Sequence, residues 1–390
     1  MTSKINKKVF NLIIIFFAIE YLRVFDLISI FQLFIIPLCL FGVLITKNKV
    51  IHKNFIFLIF LSVVLLFTCI SSPIENFFTS FFFVIGVFIL LLYLLMYFSE
   101  NTIDKTTLII FSFYSLPHVL ILFADFLGSN LLLTFTGSAS ERFSGLHRDP
   151  NFMCVYVNLA IVSKLALINI NVKTKQKLLI IGLIILDIAV ILYSMSISGI
   201  MIMFFSFIIY YWLNNKKILV TISFLSIPII IWIYNIYNDL VYSSSLNLFL
   251  SVLWRQKQKS ISGNLEDSRI DAFKHVFSLI NEGEMIIYGY SMENYLNKYF
   301  YYPHNTFLDI IVVNGLLIGI PTILFIFYLF YKSYKLMTNK IISRWLFQIS
   351  VSSFMSLIFL SMYQQKLFWL MIVLLFFSAN RSLYLQQKEN

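Results

Sequence analysis

The chain has 390 residues, of which 60% are hydrophobic, 18% aromatic and only 12% charged. Soluble globular domains carry about 25% charged residues and disordered chains far less apolar surface, so both classes are excluded and a polytopic membrane protein is left. The net charge of +11 is therefore weighed first as membrane topology and only then as a sign of nucleic-acid binding. The three cysteines, Cys39, Cys69 and Cys154, fall inside apolar runs, which leaves neither a disulfide framework nor a zinc cluster.

A spanning helix needs about 20 mostly apolar residues. On that measure the sequence predicts a single integral membrane domain over 1–390, all-α, with about 12 spans: 9–25, 27–45, 55–71, 77–98, 107–127, 152–170, 178–194, 198–213, 218–237, 306–331, 345–363 and 367–380. The stretch 178–213 also reads as one broken hairpin. Lysines precede the first apolar run as in a signal peptide, but no small-residue cleavage site follows Ala18, so that span is expected to be retained.

Lysine and arginine set the direction. With both termini cytoplasmic, the inner segments carry 18 of the 29 basic residues, and the short outer loops carry four, Arg23, Arg142, Arg148 and Lys366. The net charge is thus mostly topology, and no nucleic-acid partner is implied. Arg23 is expected to pair locally with Glu20 or Asp26.

Two outer segments are too long and polar for plain turns, 128–151 and 238–305. The first contains Arg142-Phe-Ser-Gly145-Leu-His-Arg148-Asp149-Pro150-Asn151. Asp149 or Asn151 as helix cap, with Pro150 as punctuation, explains part of the string but does not require Arg142 or Gly145. Within the spans, His118 after Pro117 is expected to satisfy the carbonyl that proline frees. Lys164 is expected to reach the inner surface. Asp187, costing about 2.5–3.5 kcal/mol at mid-span, needs a polar partner or marks an ion path.

The 238–305 loop holds seven acids and six bases, so it is not a polybasic arm. Ser268-Arg269-Ile270-Asp271 fits a capping box, and Ile270, Phe273, Phe277 and Ile280 recur at helical spacing up to Gly283. An amphipathic helix over 268–282 is expected at the outer mouth. Beyond it come Pro303-His304-Asn305-Thr306-Phe307-Leu308-Asp309, then Gly315 and Gly319. Asn305 or Thr306 caps the following helix in the simplest reading, and the glycine pair suits close helix contact. His304 is the one histidine at an expected outer boundary with polar neighbours.

Five of seven arginines (Arg23, Arg142, Arg148, Arg255, Arg269) but only five of 22 lysines fall outside. A planar guanidinium binds phosphate bidentately and stays charged when partly desolvated, so an outer cavity gripping a phosphorylated lipid would account for the bias, as would chance and interfacial snorkelling. There is no Walker loop, HExxH or nucleotide fingerprint, and no internal repeat or low-complexity linker.

Arg-x-x-Gly-x-x-x-x-Pro-Asn in one outer loop, followed after a long outer loop by His-Asn-x-x-Leu and a glycine-bearing helix, resembles the O-antigen ligase and polysaccharide polymerase superfamily, and most closely its Wzy-type polymerase branch. The matched positions are Arg142, Gly145, Pro150, Asn151, Arg269, Gly289, His304, Asn305, Gly315 and Gly319, over about 140–330. Ser196-Ile-Ser198-Gly199 departs from the pattern, because many members carry a Ser-Arg pair there.

The resemblance implies polymerisation of undecaprenyl-diphosphate-linked oligosaccharide repeat units into O-antigen or capsular polysaccharide on the outer face of a bacterial inner membrane. It implies a metal-independent glycosyltransferase with no cofactor, with membrane lipids, a chain-length regulator and a flippase as candidate partners. Arg142, Arg269 and then Arg148 would stabilise the diphosphate leaving group. His304 would take the acceptor proton or orient the diphosphate, with Asp149 or Asp309 as fallback base and Asn151 and Asn305 as positioning groups. The competing expectations are an O-antigen ligase that moves finished polymer to a lipid or protein acceptor, and a lipid-linked oligosaccharide flippase, which would concentrate ionisable groups near the midplane.

Overall fold

The computed structural model describes residues 2–19, 23–24, 28–46, 52–70, 77–100, 103–127, 143–147, 149–170, 173–194, 196–215, 268–290, 292–299, 303–337, 341–363 and 365–389. The expected span 218–237, most of the loop 128–151 and the part of the long outer loop before 268 lie outside them.

The described chain is almost wholly helical. In order come α1 (Thr2–Phe17), a two-residue antiparallel ladder of Arg23–Val24 with Ile28–Ser29, and a π-helical turn (Phe31–Ile35) leading into α2 (Ile36–Ile45). Then follow α3 (His52–Ile70), α4 (Phe77–Glu100), α5 (Lys105–Ser112), α6 (Leu116–Phe126), α7 (Pro150–Ile168), α8 (Thr174–Tyr193) and α9 (Ile197–Asn214). The last five are α10 (Ser268–Asn281), α11 (Met292–Tyr299), α12 (Thr306–Lys335), α13 (Ile341–Phe359) and α14 (Lys366–Glu389).

Among the described residues, seven segments are long and apolar enough to cross a membrane: Ser80–Phe98, Lys105–Phe126, Pro150–Ile168, Thr174–Tyr193, Ile197–Asn214, Thr306–Lys335 and Ile341–Phe359. Phe31–Ile45, Phe55–Thr68 and Lys366–Asn380 are apolar but shorter. This is a multi-pass helical membrane protein. The first helix stops at Phe17, short of the expected 25, where Glu20, Arg23 and Asp26 bring three ionisable groups into seven residues.

The chain divides into two compact units, Met1–Phe111 with Ser268–Asn390, and Ser112–Asp267. In the first, α14 packs on α4, α12 and α13, and every residue from Leu367 to Phe377 is buried. In the second, α7 packs on α8 and α9, and every residue from Met153 to Ala166 is buried. A helix that is apolar all round belongs at the centre of a bundle. Bonds in the first unit join ends that the charge pattern assigns to one side: Lys7 pairs with Asp104 and Asn6 bonds Thr46, while Thr68 bonds Tyr363 and Asn305 bonds the Ile358 carbonyl.

The long helix α12 is interrupted. Gly315 sits at φ 71° and ψ 175°, and the segment 285–290 runs beside the break. The amides of Leu316 and Leu317 donate to the carbonyls of Met285 (2.9 Å) and Ile286 (3.1 Å), and the Tyr290 amide donates to the Val312 carbonyl (2.6 Å). The orphaned backbone groups are thereby satisfied within the protein, as an apolar surrounding demands. A side chain at Gly289 would collide with the backbone of Val312 and Val313. Gly319 packs on Ile310 and Ile311 of its own helix's first half, so the glycine pair serves this break and not a contact with another helix.

At Gly315 the positive φ with an extended ψ is a conformation essentially confined to glycine, so alanine costs about 1–3 kcal/mol, and at Gly289 a Cβ has no space until the backbone moves. Gly182 has open space around it. Gly289→Ala and Gly315→Ala are expected to lower the thermal unfolding midpoint of the purified protein by several degrees, with Gly182→Ala leaving it unchanged, as read by a thermal-shift assay in detergent.

Candidate functional site

In the first unit, Asn305 caps α12, accepting from the amides of Phe307 (2.9 Å) and Leu308 (3.2 Å). Its side-chain amide donates to the Ile358 carbonyl at 2.9 Å. Thr306 Oγ1 donates to the Leu360 carbonyl (2.6 Å) and accepts from the Met362 amide (2.9 Å). Ser361 Oγ donates to Asp309 Oδ1 at 2.9 Å. The turn between α13 and α14 is thus clamped to the first turn of α12, and the buried Asp309 carboxylate is engaged by that turn. Deeper, Asn314 bonds the Tyr363 hydroxyl (3.0 Å), which bonds Thr68 (2.8 Å). His304 precedes this clamp, half-buried, with φ 51°. A non-glycine residue in that region is held there by its surroundings.

The helix expected over 268–282 is α10, Ser268–Asn281, with Arg269 in its first turn. Its C-terminus is closed by Gly283 (φ 83°), with Gly283 N to Ile280 O at 3.1 Å and Glu284 N to Leu279 O at 3.0 Å, a glycine stop of the Schellman type. The buried stripe is Ala272, Val276 and Leu279, packed with Met285, Tyr295, Leu308 and Val312. The expected stripe was one register off: Phe273 and Phe277 are exposed, because the narrower residues are the ones that fit against α12. Beside it, Glu284 accepts from the hydroxyls of Tyr290 and Tyr299 and from Lys298, whose ammonium lies 5.0 Å and 4.8 Å from the two ring centres. These bonds, the Tyr290 hydroxyl first, hold the Glu284 carboxyl below its usual range, while burial, then Glu284, push the Tyr290 phenol up to about 12.

In the second unit, Asp149 caps α7, accepting from the Asn151 amide at 2.7 Å. Asn151 Oδ1 accepts from Ser196 Oγ at 2.6 Å, and the Ser196 hydroxyl also receives the Gly199 amide at 3.0 Å. The Ser196–Gly199 turn therefore docks on the first turn of α7, and Gly199 fits because a side chain there would meet Cys154. Phe143, Ser144, Gly145 and His147 are buried. Arg142 and Arg148 lie outside the described residues, as do Arg255 and the expected partners of Arg23. Among the described residues, no group of three His, Cys, Asp or Glu side chains is placed to hold a metal.

Two residues sit otherwise than expected. Lys164 does not reach the inner surface: it is buried and pairs with Asp187 at 2.5 Å while donating to Ser115 at 2.8 Å. A cation beside a carboxylate removes the cost of either alone. His118 takes the Leu146 amide on Nδ1 at 3.4 Å in place of a carbonyl freed by proline. His147, passed over in the sequence, lies with its ring 5.2 Å from that of His118 and 4.7 Å from that of Tyr156. Burial, then the neighbouring His118, hold it well below the usual histidine range. Its place inside the Arg142–Asn151 string was the one available signal.

The structure thus brings His304, Asn305 and Asp309 together at the start of α12, and Asp149 and Asn151 together at the start of α7. No protein-family profile, curated protein sequence or solved structure matches the chain.

Breaking a buried pair by removing one partner costs about 3–5 kcal/mol, whereas replacing both with apolar groups is often neutral. Lys164→Met and Asp187→Leu are each expected to unfold at clearly lower temperature than the double variant, which stays near the parent in the same thermal-shift assay.

Proposed function

We propose that this chain is a membrane glycosyltransferase that polymerises undecaprenyl-diphosphate-linked oligosaccharide units into O-antigen or capsular polysaccharide. In this reading it crosses a bacterial inner membrane about 12 times, with both termini cytoplasmic and the loop 238–305 outside. The observation that carries it is the start of α12, where Asn305, Thr306 and Asp309 are all tied to the 358–362 turn and His304, only half-buried in a left-handed backbone, stands at the lip.

The reaction joins an acceptor-sugar hydroxyl oxygen to the anomeric carbon of the donor, and the bond from that carbon to the diphosphate oxygen breaks. Undecaprenyl diphosphate leaves with the electron pair, and the hydroxyl proton passes to His304. A diphosphate needs charge stabilisation more than protonation, the role given to Arg142, Arg269 and Arg148. Asp149 and Asp309 are occupied as helix-start acceptors, which leaves the base role to His304.

A transporter of the same lipid-linked substrate is the second reading, favoured by the buried Lys164–Asp187 pair and by the interrupted α12. Deleting the gene in its native host and sizing surface and lipid-linked glycans decides between them. A polymerase leaves single repeat units on the surface acceptor, a ligase leaves long polymer on the lipid diphosphate, and a transporter leaves units on the cytoplasmic leaflet. Complementation with His304→Ala is expected to restore less than about one hundredth of the polymer, with Arg142→Ala and Arg269→Ala similarly impaired; normal polymer from all three overturns the site.

A further inference from the structure

The helix α10 uses only part of its apolar surface against the bundle. At about 100° per residue, Ala272, Phe273, Val276, Phe277, Leu279 and Ile280 share one half of its circumference, and Asp271, Lys274, His275, Ser278 and Asn281 the other. Ala272, Val276 and Leu279 are buried, on the side that faces α12. Phe273 and Phe277 stand on the adjoining edge and are exposed. The polar half bonds along its own length: Lys274 lies 3.9 Å from Asp271, and Ser278 donates to Glu282 at 2.7 Å.

The level of this edge follows from α12. Leu317, Ile320, Leu324 and Phe327 are exposed along one face of its second half, and that face ends in Tyr328, Tyr331 and Tyr334 beside Lys332 and Lys335. Tyrosine and lysine gathered at one end of an apolar helix mark the boundary of a bilayer. From Tyr331 back to Leu317 is 14 residues, which is about 21 Å of helix against about 30 Å of hydrocarbon. The remainder of the core lies beyond Leu317, and there α12 offers nothing to lipid, since no residue from Asn305 to Leu316 is exposed. Ile286, Ile287 and Tyr288 are, each by more than half. They belong to the segment whose carbonyls receive the Leu316 and Leu317 amides. The Tyr288 ring lies over that of Phe67 in the apolar helix α3, with centres 6.4 Å apart, and Leu66 beside it is exposed as well.

We infer that the Phe273–Phe277 edge of α10 and the segment Ile286–Tyr288 form a lipid-docking surface, immersed in the bilayer leaflet opposite the Lys332–Lys335 end of α12.

That leaflet is the one the charge pattern assigns to the outer side. The surface continues the lipid-facing side of α12 past its break, so lipid reaches it without any gap in the apolar face. In water the same five side chains would make an exposed apolar patch with nothing to cover it. Helices with phenylalanine on one edge and a lysine-bearing polar face settle about 5–10 Å into the boundary between headgroups and acyl chains. Lys274, extended and largely exposed, reaches the headgroups from that depth while its stem stays beside the two phenylalanines.

The test uses the full chain in nanodiscs of phosphatidylcholine and phosphatidylglycerol. Two reagents are applied, an aryl diazirine dissolved in the lipid and hydroxyl radicals generated in the water, and the modified residues are assigned by mass spectrometry. Leu324, on the lipid-facing side of α12, is the internal standard. Phe277, Ile287 and Tyr288 are expected to take up the carbene as Leu324 does, and Phe273, Phe277 and Tyr288 to lose the oxidation they show in the unfolded chain. Oxidation of Phe273 and Phe277 to the level of the unfolded chain means an edge in water and overturns the inference. Protection from both reagents means that another segment of this chain or a second copy covers the edge, and overturns it equally.

Discussion

Peptide groups in hydrocarbon must find their partners inside the protein, and the rest of this structure depends on how that demand is met where helices stop. At Gly315 the helix loses its internal ladder, and the 285–290 segment supplies two carbonyls to the second half and takes one carbonyl from the first. That arrangement dictates glycine at 315, where φ is positive, and at 289, where two backbones touch. It also binds the 285–290 segment to α12, so the position of α10 and α11, on either side of that segment, follows from the repair of a broken helix. Asn314, one residue before the break, ties the same point to Tyr363 and through it to Thr68.

Hydroxyls show the same demand on a smaller scale. Within helices, Ser62, Ser163, Ser206, Thr322, Ser350, Ser353 and Ser356 donate to the carbonyl four residues earlier, which gives a polar side chain in apolar surroundings a partner in its own helix. Thr306, Ser361 and Ser196, by contrast, reach other elements, and they do so at helix starts. Many hydroxyls inside the spans thus bond within their own helix, while Asn158, Lys164 and Asn314 reach other elements from within theirs.

The apolar runs made the helices legible, since their length and composition answer to the bilayer alone. The caps at Asp149 and Asn305 and the stop at Gly283 were legible too, because they are local. The break at Gly315 was not: a glycine in an apolar run suits a close helix contact as well as an interruption, and only the 285–290 segment, more than 25 residues earlier, decides between them. The α10 stripe was misread for a similar reason, as its partner is the surface of α12 and not a property of its own period. The pairing of Lys164 with Asp187 joins residues 23 positions apart on successive helices, so neither residue announces the other. Sequence showed where polar groups were costly and left open what relieves the cost.

The starts of α12 and α7, one in each unit, are built alike. Each has a residue of positive φ, His304 or Gly145, shortly before a polar cap, Asn305 or Asp149, that opens a deeply packed helix. On each, a turn from later in the sequence docks on that helix's first turn through hydroxyl bonds, 358–362 in one unit and Ser196–Gly199 in the other. Glycine adopts positive φ freely, but His304 does so at a cost of about 1–2 kcal/mol that the neighbouring clamp must offset. Gly145 presses against a histidine, whereas at 304 the histidine itself takes the strained position.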